Sequence, residues 1–451
     1  MSKSLYIKTF GCQMNERDSE IIEQLLAQEG YVPTDRAEGA DVVLINTCSI
    51  REKAEQKVFS LLGQLRDEKA RNPSLLLGVT GCVAQQEGEH IRDRMPHVDL
   101  IVGTQQIYRL PEMLARLEQR VTSREIAINL EASFHIPPFQ KLLVNASPFP
   151  ASSGFKRFVT IMQGCNNYCS YCVVPGTRGR EISRPMADII EEVEILASQG
   201  VKEITLLGQN VNSYGLTNPV ADLTVSFPEL LRRVASINGL QRLRFTTSHP
   251  KDLSEDLMRC FAEIDILCPH FHLPVQSGSN AVLKRMNRKY TIETYLEKVA
   301  GLRRFCPEIA LATDIIVGFP GETEEDFQAT LELLSLVRFH GSFSFKYSDR
   351  PHTHSVNFLD KIPEEVKSRR LLAFQTLQDA IGLERNAECI DKEVEVMLEV
   401  CAGDDCKGRT PAHQMVHFKR QGLPLAPGDL VTVKINQAGK HSLKGDIHLK
   451  H

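Results

Sequence analysis

The sequence predicts an α/β chain in three parts: an amino-terminal parallel α/β domain over 1–128, a partial (β/α)6 barrel over 156–385 and a small all-β barrel over 386–451. Three observations predict it. Short apolar runs alternate with amphipathic helical patterns before residue 125, and the alternation restarts after a proline-rich break at 129–155. Near the carboxyl end the apolar period falls to two.

In the first part, strand-like runs Leu5–Phe10, Asp41–Asn46, Leu75–Val79 and Val98–Val102 each precede a helical pattern, at Glu16–Gln28, Arg51–Lys69, Val83–Arg94 and Gln105–Leu117. Such alternation implies a parallel sheet with helices on both faces. Pro137, Pro138, Pro148 and Pro150 mark 129–155 as a linker. Six strands follow: Phe158–Met162, Glu203–Leu207, Arg242–Thr246, Phe271–Val275, Ala310–Val317 and Ser342–Tyr347. Between them lie helical patterns at Ala187–Ser198, Leu230–Ser236, Glu255–Ala262, Ile292–Phe305 and Glu324–Leu336. Six units fall short of the eight that close a (β/α) barrel. After a helix at Pro363–Arg385, the strands Val394–Val400, Gln414–Phe418, Leu430–Ile435 and Ser442–Ile447 suit a small barrel, a common oligonucleotide-binding shape.

Composition narrows the class. With 42% hydrophobic and 24% charged residues and no apolar run of membrane-spanning length, the chain reads as soluble. Met1–Gly11 alternates like a strand and lacks the regions of a signal peptide, so a reducing cytoplasm is expected. A net charge of −4 excludes a uniformly basic nucleic-acid coat. From Lys407 onward, however, eight Lys or Arg, including Arg409, Lys419, Arg420, Lys434 and Lys450, face two acids. A second basic group is Lys284, Arg285, Arg288 and Lys289, and Arg178, Arg180 and Arg184 form a third. Several such groups on one chain favour a polyanion partner.

Cys165, Cys169 and Cys172 stand just after the first barrel strand, spaced to wrap one iron-sulfur cube and leave its fourth iron without a protein ligand. An open iron can bind S-adenosylmethionine (SAM) and pass it an electron. Structural zinc needs a fourth ligand, and after Cys172 only His249 precedes Cys260 as a Cys or His. Twelve cysteines in 451 residues fall far below a disulfide scaffold. Cys12, Cys48 and Cys82 each follow the carboxyl end of a predicted strand. In a parallel sheet those ends share the ligand-binding edge, with neighbouring strands about 4.8 Å apart. The three thiols therefore converge, and Gly11 and Gly81 let the backbone turn beside a bulky cluster. The other six, Cys260, Cys268, Cys306, Cys389, Cys401 and Cys406, show no such register and read as structural.

The paired trios, partial barrel and basic β tail resemble the methylthiotransferases of the radical SAM superfamily over essentially the whole chain. Gly11-Cys12-Gln13-Met14-Asn15, the stretch from Asn46 through Cys48, Ile50 and Arg51 to Ala54, and Leu207-Gly208-Gln209-Asn210 to Tyr214 are similar to the branch that acts on isopentenyladenosine at position 37 of tRNA. The resemblance implies two 4Fe-4S clusters, an auxiliary one on Cys12, Cys48 and Cys82 and a SAM-binding one on Cys165, Cys169 and Cys172. It also implies SAM, an external electron donor, a carboxyl-terminal TRAM domain that binds RNA, and the anticodon stem-loop of tRNA as partner. A monomer with no membrane association is expected.

Candidate SAM contacts are Tyr171, Gly208, Gln209, Ser248, Gln276, Asp314 and Ile316; candidate RNA contacts are Arg285, Arg288, Arg409, Lys419, Arg420 and Lys434. Adenine carbon 2 offers a general base little to act on, so hydrogen-atom abstraction by a 5′-deoxyadenosyl radical is the expected chemistry. Two departures stand out. Gly208-Gln209-Asn210 replaces the Gly-Gly-Glu of many radical SAM enzymes, and Arg350-Pro351-His352-Thr353-His354 replaces a family string closer to Arg-Pro-Gly-Thr-Pro. Neither His352 nor His354 has an adjacent acid or third ligand, so both read as loop residues. Gly318 to Glu322 resembles a phosphate cradle but lacks the phosphate-loop Lys-Ser/Thr, so a strand-to-helix turn explains it.

Overall fold

Six parallel strands form the amino-terminal sheet: β1 (Lys3–Phe10), β2 (Tyr31–Pro33), β3 (Val42–Thr47), β4 (Leu76–Gly81), β5 (Leu100–Val102) and β6 (Glu125–Ala127), in the order β2-β1-β3-β4-β5-β6. The computed structural model describes residues 3–49, 52–131, 134–143, 154–216 and 225–448. Expectations resting on Met1, Ile50, Arg51, Pro148, Pro150 and Lys450 lie outside them. All of β3 is buried, as its unbroken apolar run requires of a strand covered on both faces. One face packs Ile22, Leu26 and Leu114 on Leu44 and Leu100; the other packs Val58, Leu62 and Ile91 on Val43 and Val79. The edge strands β2 and β6 went unpredicted because three residues are too few to display a period.

The stretch read as a linker carries structure of its own. A helical turn, Gln140–Leu143, follows Phe139, which is 1% exposed and joins the core beside Leu26 and Leu114. Gln28 Nε2 donates to the Leu142 carbonyl at 2.8 Å.

Eight strands belong to the middle of the chain: β7 (Lys156–Thr160), β8 (Met162–Gln163), β9 (Ile182–Ser183), β10 (Glu203–Leu207), β11 (Arg242–Phe245), β12 (His270–His272), β13 (Ala310–Val317) and β14 (Gly341–Lys346). Six of them make two parallel triplets, β11-β10-β7 and β12-β13-β14, linked by a bridge between Leu243 and Leu267. This is the expected partial barrel; β8 and β9 form a separate antiparallel pair.

The tail folds as a closed barrel of β15 (Glu393–Ala402), β16 (Asp405–Arg409), β17 (Met415–Lys419), β18 (Leu430–Ala438) and β19 (Ser442–Ile447), in the order β15-β16-β17-β19-β18. The short polar strand β16 lacks an apolar signal; hairpin pairing with β15 makes it a strand. Cys401 and Cys406, read from the sequence as structural, face each other across that hairpin and form a disulfide. The barrel docks on the middle domain: Arg244 donates to the Pro411 and Thr410 carbonyls at 2.9 and 3.0 Å, and Arg242 to the Arg409 carbonyl at 2.7 Å and to Glu395 at 2.9 Å.

A buried ionic chain ties the first domain to the second. Glu192 receives Arg17 at 2.5 Å and Arg184 at 2.6 Å, and all three are nearly inaccessible. Removing one partner from such a chain typically costs about 3–5 kcal/mol, because an uncompensated charge stays buried. At 350–354 His352 adopts φ +62°, a backbone state that suits glycine, and Thr353 closes the turn on the Arg350 carbonyl through its hydroxyl at 2.7 Å. His354 opens a short 3-10 turn and packs edge-on against Phe358.

If Phe139 is a core residue, Phe139→Ala should destabilise the first domain by about 3–5 kcal/mol. Urea unfolding followed by circular dichroism measures this; a spacer residue would leave the midpoint unchanged.

Candidate active site

The loop 163–172 is built by three backbone choices. Gly164 turns at φ +81°, where an added Cβ would lie 2.0 Å from the Arg180 carbonyl oxygen, so no other residue fits. Tyr168 also takes a positive φ of 48°, and the Cys172 N–H bonds the Cys169 carbonyl at 3.0 Å. The loop is gripped from outside by residues 285–288: the Ser170 N–H and hydroxyl donate to the Met286 and Arg285 carbonyls, and Asn287 Nδ2 donates to the Tyr168 carbonyl at 2.8 Å.

Arg288, expected at an RNA surface, lies inside this site. It is 8% exposed, reaches Cys169 Sγ at 3.4 Å and the Pro274 carbonyl at 2.8 Å, and lies against the Tyr290 ring. Arg285 is committed as well, held by both Asp360 oxygens at 2.7 Å. Basic composition alone gave no sign that Arg288 faces inward or that Arg285 is tied up in an exposed ion pair.

Burial pushes the Cys165 thiol up to about 11 and the Cys172 thiol up to about 12. Both stay protonated at neutral pH unless a cation takes the sulfur. His249 does not join them: its Nδ1 accepts the Lys251 N–H at 3.2 Å, and burial depresses its pKa to about 2.

Around the loop, the strand ends carry polar groups without partners. Gln209 Oε1 accepts the Gly164 N–H at 2.5 Å, while its Nε2, Gln163 Nε2 and Ser248 Oγ are buried with no hydrogen-bond partner among the described residues. A buried unsatisfied donor in a cleft marks a place for a polar ligand. Gln276 is held at φ +75° beyond β12, an uncommon backbone state that concentrates at functional sites. Asp314 is not at a strand end: it lies within β13 and binds His272 Nε2 at 2.9 Å. Tyr171 and Ile316 pack on one apolar cluster with Phe319 and Tyr347, so Tyr171 has the surroundings of a core aromatic. Gly208 is crowded by Met162, whose Cγ would lie 2.4 Å from an added Cβ.

The second trio is assembled by β1, β3 and β4. Their register pairs Phe10 with Thr47 and Thr47 with Gly81, which brings Cys12, Cys48 and Cys82 to one sheet edge. Cys48 shares hydrogen bonds with both Cys12 and Cys82; that sharing lowers the pKa of the outer two and raises that of Cys48. An added Cβ at Gly11 would lie 2.4 Å from Cys48 Cβ, and at Gly81 2.8 Å from the Thr47 carbonyl oxygen, so both glycines are required by the neighbouring strand. Asn15 and Asn46 brace the edge: Cys12 Sγ donates to Asn15 Oδ1 at 3.3 Å, and Asn46 Nδ2 donates to the Asn15 carbonyl at 2.8 Å. Among the described residues, Thr47 Oγ1, Ser49 Oγ and Thr80 Oγ1 beside this trio are buried without partners. No group of three or more His, Cys, Asp or Glu among the described residues is arranged to hold a single metal ion. A cube instead takes each thiolate on a different iron, and six cysteines ringed by unsatisfied donors suit it.

The two trios adjoin. The helix Val174–Arg178, which continues from the Cys172 loop, packs on the helix Cys82–Arg94 that starts at the second trio. Thr104 Oγ1 donates to the Thr177 carbonyl at 2.5 Å, and Arg178 pairs with Asp18 at 2.6 Å.

Residues 4–103 match the model of an uncharacterized protein family, UPF0004, and residues 159–334 match that of the radical SAM superfamily. A protein of Desulfotalea psychrophila named tRNA-2-methylthio-N(6)-dimethylallyladenosine synthase is 56% identical over 454 residues, 99% of each chain. The chain belongs to this synthase family. Relatives of the same name from Syntrophobacter fumaroxidans and Geobacter sulfurreducens are each 48% identical, over 98% and 99% of this chain and 95% and 98% of theirs. Among solved structures, the radical SAM methyltransferase TsrM of Kitasatospora setae shares the fold at a TM-score of 0.56 and 14% identity, covering 89% of this chain and 80% of its own. Membership of a radical SAM synthase family implies a 4Fe-4S cluster and SAM.

The exposed face of the carboxyl barrel differs from the sequence expectation. Lys419 pairs with Asp405 at 2.7 Å, Arg409 donates to the His413 carbonyl at 3.1 Å, and Arg420 is half-buried. Lys434 is exposed opposite Asp446 in the β18–β19 register. Lys407, His417 and Lys444 are all exposed and follow one another in register across β16, β17 and β19. Their alignment is a property of strand pairing that no linear motif records.

Gly164→Ala should remove the first cluster and lower iron in anaerobically reconstituted protein by about four per chain, with far-ultraviolet circular dichroism unchanged. Iron analysis checks this.

Proposed function

We propose that this chain is a tRNA methylthiotransferase that converts isopentenyladenosine at position 37 to its 2-methylthio derivative. The observation that carries the reading is the adjacency of two cysteine trios, one in a radical SAM loop and one at a sheet edge, in a chain 56% identical to a synthase of that name. When bound, the cluster on Cys165, Cys169 and Cys172 supplies the electron for SAM cleavage and hence hydrogen-atom abstraction at carbon 2, while an auxiliary cluster on Cys12, Cys48 and Cys82 supplies the site where sulfur is methylated.

The residues around these groups bind, orient and exclude water. Arg288 holds Cys169 and fixes the loop against Pro274. Gln209, Ser248 and Gln276 are the groups proposed to face the polar ends of SAM, and Gly208 keeps the strand end close to Met162. Asp314 and His272 form the next polar pair along the barrel; Tyr171 and Ile316 supply an apolar wall. Lys407, His417 and Lys444, with Lys434, are proposed to contact phosphates of the anticodon stem-loop, which position the RNA without reading its sequence. Among the described residues no helix is long and apolar enough to cross a membrane. The proposed setting is a monomer in the reducing cytoplasm served by an external electron donor. The three domains proposed span 1–128, 156–385 and 386–451.

Two cubes predict about eight irons per chain, falling to about four when either trio is replaced by alanine. With dithionite and SAM, 5′-deoxyadenosine should form in the variant lacking Cys12, Cys48 and Cys82 and be absent from that lacking Cys165, Cys169 and Cys172. Nucleoside analysis of tRNA from a strain without this chain should show isopentenyladenosine and no methylthio derivative; an unchanged profile would overturn the assignment.

Replacing Lys407 and Lys444 together by alanine should weaken tRNA binding and reduce the slope of log K against log salt by about two. SAM cleavage without tRNA should stay at the parent rate. Filter binding across a salt series reads the first effect.

A further inference from the structure

Arg178 is the sixth residue after Cys172, the last ligand of the first trio, yet its guanidinium lies at the second trio. It ends the helix Val174–Arg178 and is 3% exposed. Its Nη2 donates to Asp18 Oδ2 at 2.6 Å, and Asp18 lies on the helix Gln13–Gln28 that begins directly after Cys12. Its Nη1 is buried and has no hydrogen-bond partner among the described residues. The negative groups nearest to it are Asp18 and, from the second trio, Cys82 and Cys12.

A buried guanidinium with one satisfied arm and one free arm is an unfinished site. Leaving a charged donor unpaired inside a protein costs more than leaving a neutral one. Asp18 supplies one negative charge, but the fork presents two nitrogens, and planar guanidinium forks favour paired acceptors. The missing partner therefore bears acceptor atoms, and the sulfurs of Cys12 and Cys82 are the neighbouring groups that can bring one. Next in the chain to Cys48 and Cys82, Thr47 Oγ1, Ser49 Oγ and Thr80 Oγ1 are also buried without partners among the described residues. A buried arginine with one arm on Asp18 and one donor free suits an anionic sulfur-rich group.

We propose that Arg178 is a positioning residue of the auxiliary centre, whose free Nη1–H holds the anionic sulfur of that centre and fixes its charge state from the radical SAM side of the interface. This deepens, and rests on, the reading that Cys12, Cys48 and Cys82 carry a cluster. It assigns a tie between the two centres that is neither a shared ligand nor a strand: one short helix anchors the loop of the first and the counter-charge of the second. A cation fixed next to a cluster favours its reduced, more negative state. Loss of Arg178 should accordingly move the midpoint potential of the auxiliary centre to more negative values.

The test uses the full-length chain with Cys165, Cys169 and Cys172 replaced by alanine, so that only the auxiliary centre contributes signal. Iron content and EPR-monitored potentiometry are compared for parent, Arg178→Gln and Arg178→Lys versions of this chain. The expected result is a negative shift for Arg178→Gln and a smaller one for Arg178→Lys, which keeps the charge but gives up the fork. Should Arg178→Gln fail to fold or hold iron, the shift in Arg178→Lys alone decides. Midpoints equal to the parent in the versions that hold iron overturn the inference while leaving the second cluster standing. Absence of iron from the parent of this series, with native circular dichroism, overturns the cluster reading itself and the inference with it.

Discussion

The constraint on which this structure depends is the docking of the first sheet's carboxyl edge against the loop at the mouth of the partial barrel. Two buried ionic contacts enforce it: Arg17–Glu192–Arg184 behind the interface and Arg178–Asp18 at the trios. Charges in low dielectric are poor general stabilisers, because desolvation offsets most of the attraction. They are strict about geometry, however, since a displaced partner leaves a bare charge. The interface is thereby held in one arrangement, as the proposed passage of chemistry between two centres would demand.

Within that arrangement the thiols divide into two environments. Cys165 and Cys172 are raised by burial, whereas Cys12, Cys48 and Cys82 share hydrogen bonds and have a guanidinium nearby. Arg288 donates to one sulfur of the first trio, and Arg178 pairs with Asp18 on the helix that begins beside the second. Hydrogen bonds and charges around sulfur ligands are the levers by which a protein sets the potential of such centres. The fold provides a different set of levers for each trio.

The carboxyl barrel is fastened rather than tethered. Arg242 and Arg244 on β11 reach backbone carbonyls of 409–411, so the middle domain and the barrel share hydrogen bonds to main chain as well as side-chain pairs such as Arg242–Glu395. The basic row on a barrel docked in this way stands at a fixed distance from the barrel mouth, which the proposed delivery of one base of a stem-loop would need.

Much of this was legible in the residues. The strand-helix alternation placed β1, β3, β4, β7, β10, β11, β13 and β14 within a few residues of where they occur, and the position of each cysteine relative to its strand end was enough to gather both trios. The readable features are local: period, spacing and the Gly-Cys junctions at residues 11–12 and 81–82. Three-residue edge strands and the polar strand β16 escaped because sheet pairing, not their own pattern, makes them strands. Phe139 escaped because prolines on its amino-terminal side suggested a spacer while its ring found a core in another part of the chain.

Sequence by itself determined the α/β architecture and the place of each candidate cysteine just past its strand, since these follow from local period and from what stands at each strand end. Only the tertiary structure decided what each arginine does. Arg178, Arg285 and Arg288 read alike as basic residues, yet one faces the second trio, one pairs with Asp360 and one reaches Cys169. Charge in a sequence has no direction; direction comes from which distant backbone closes over the side chain, and that is fixed only when the domains pack.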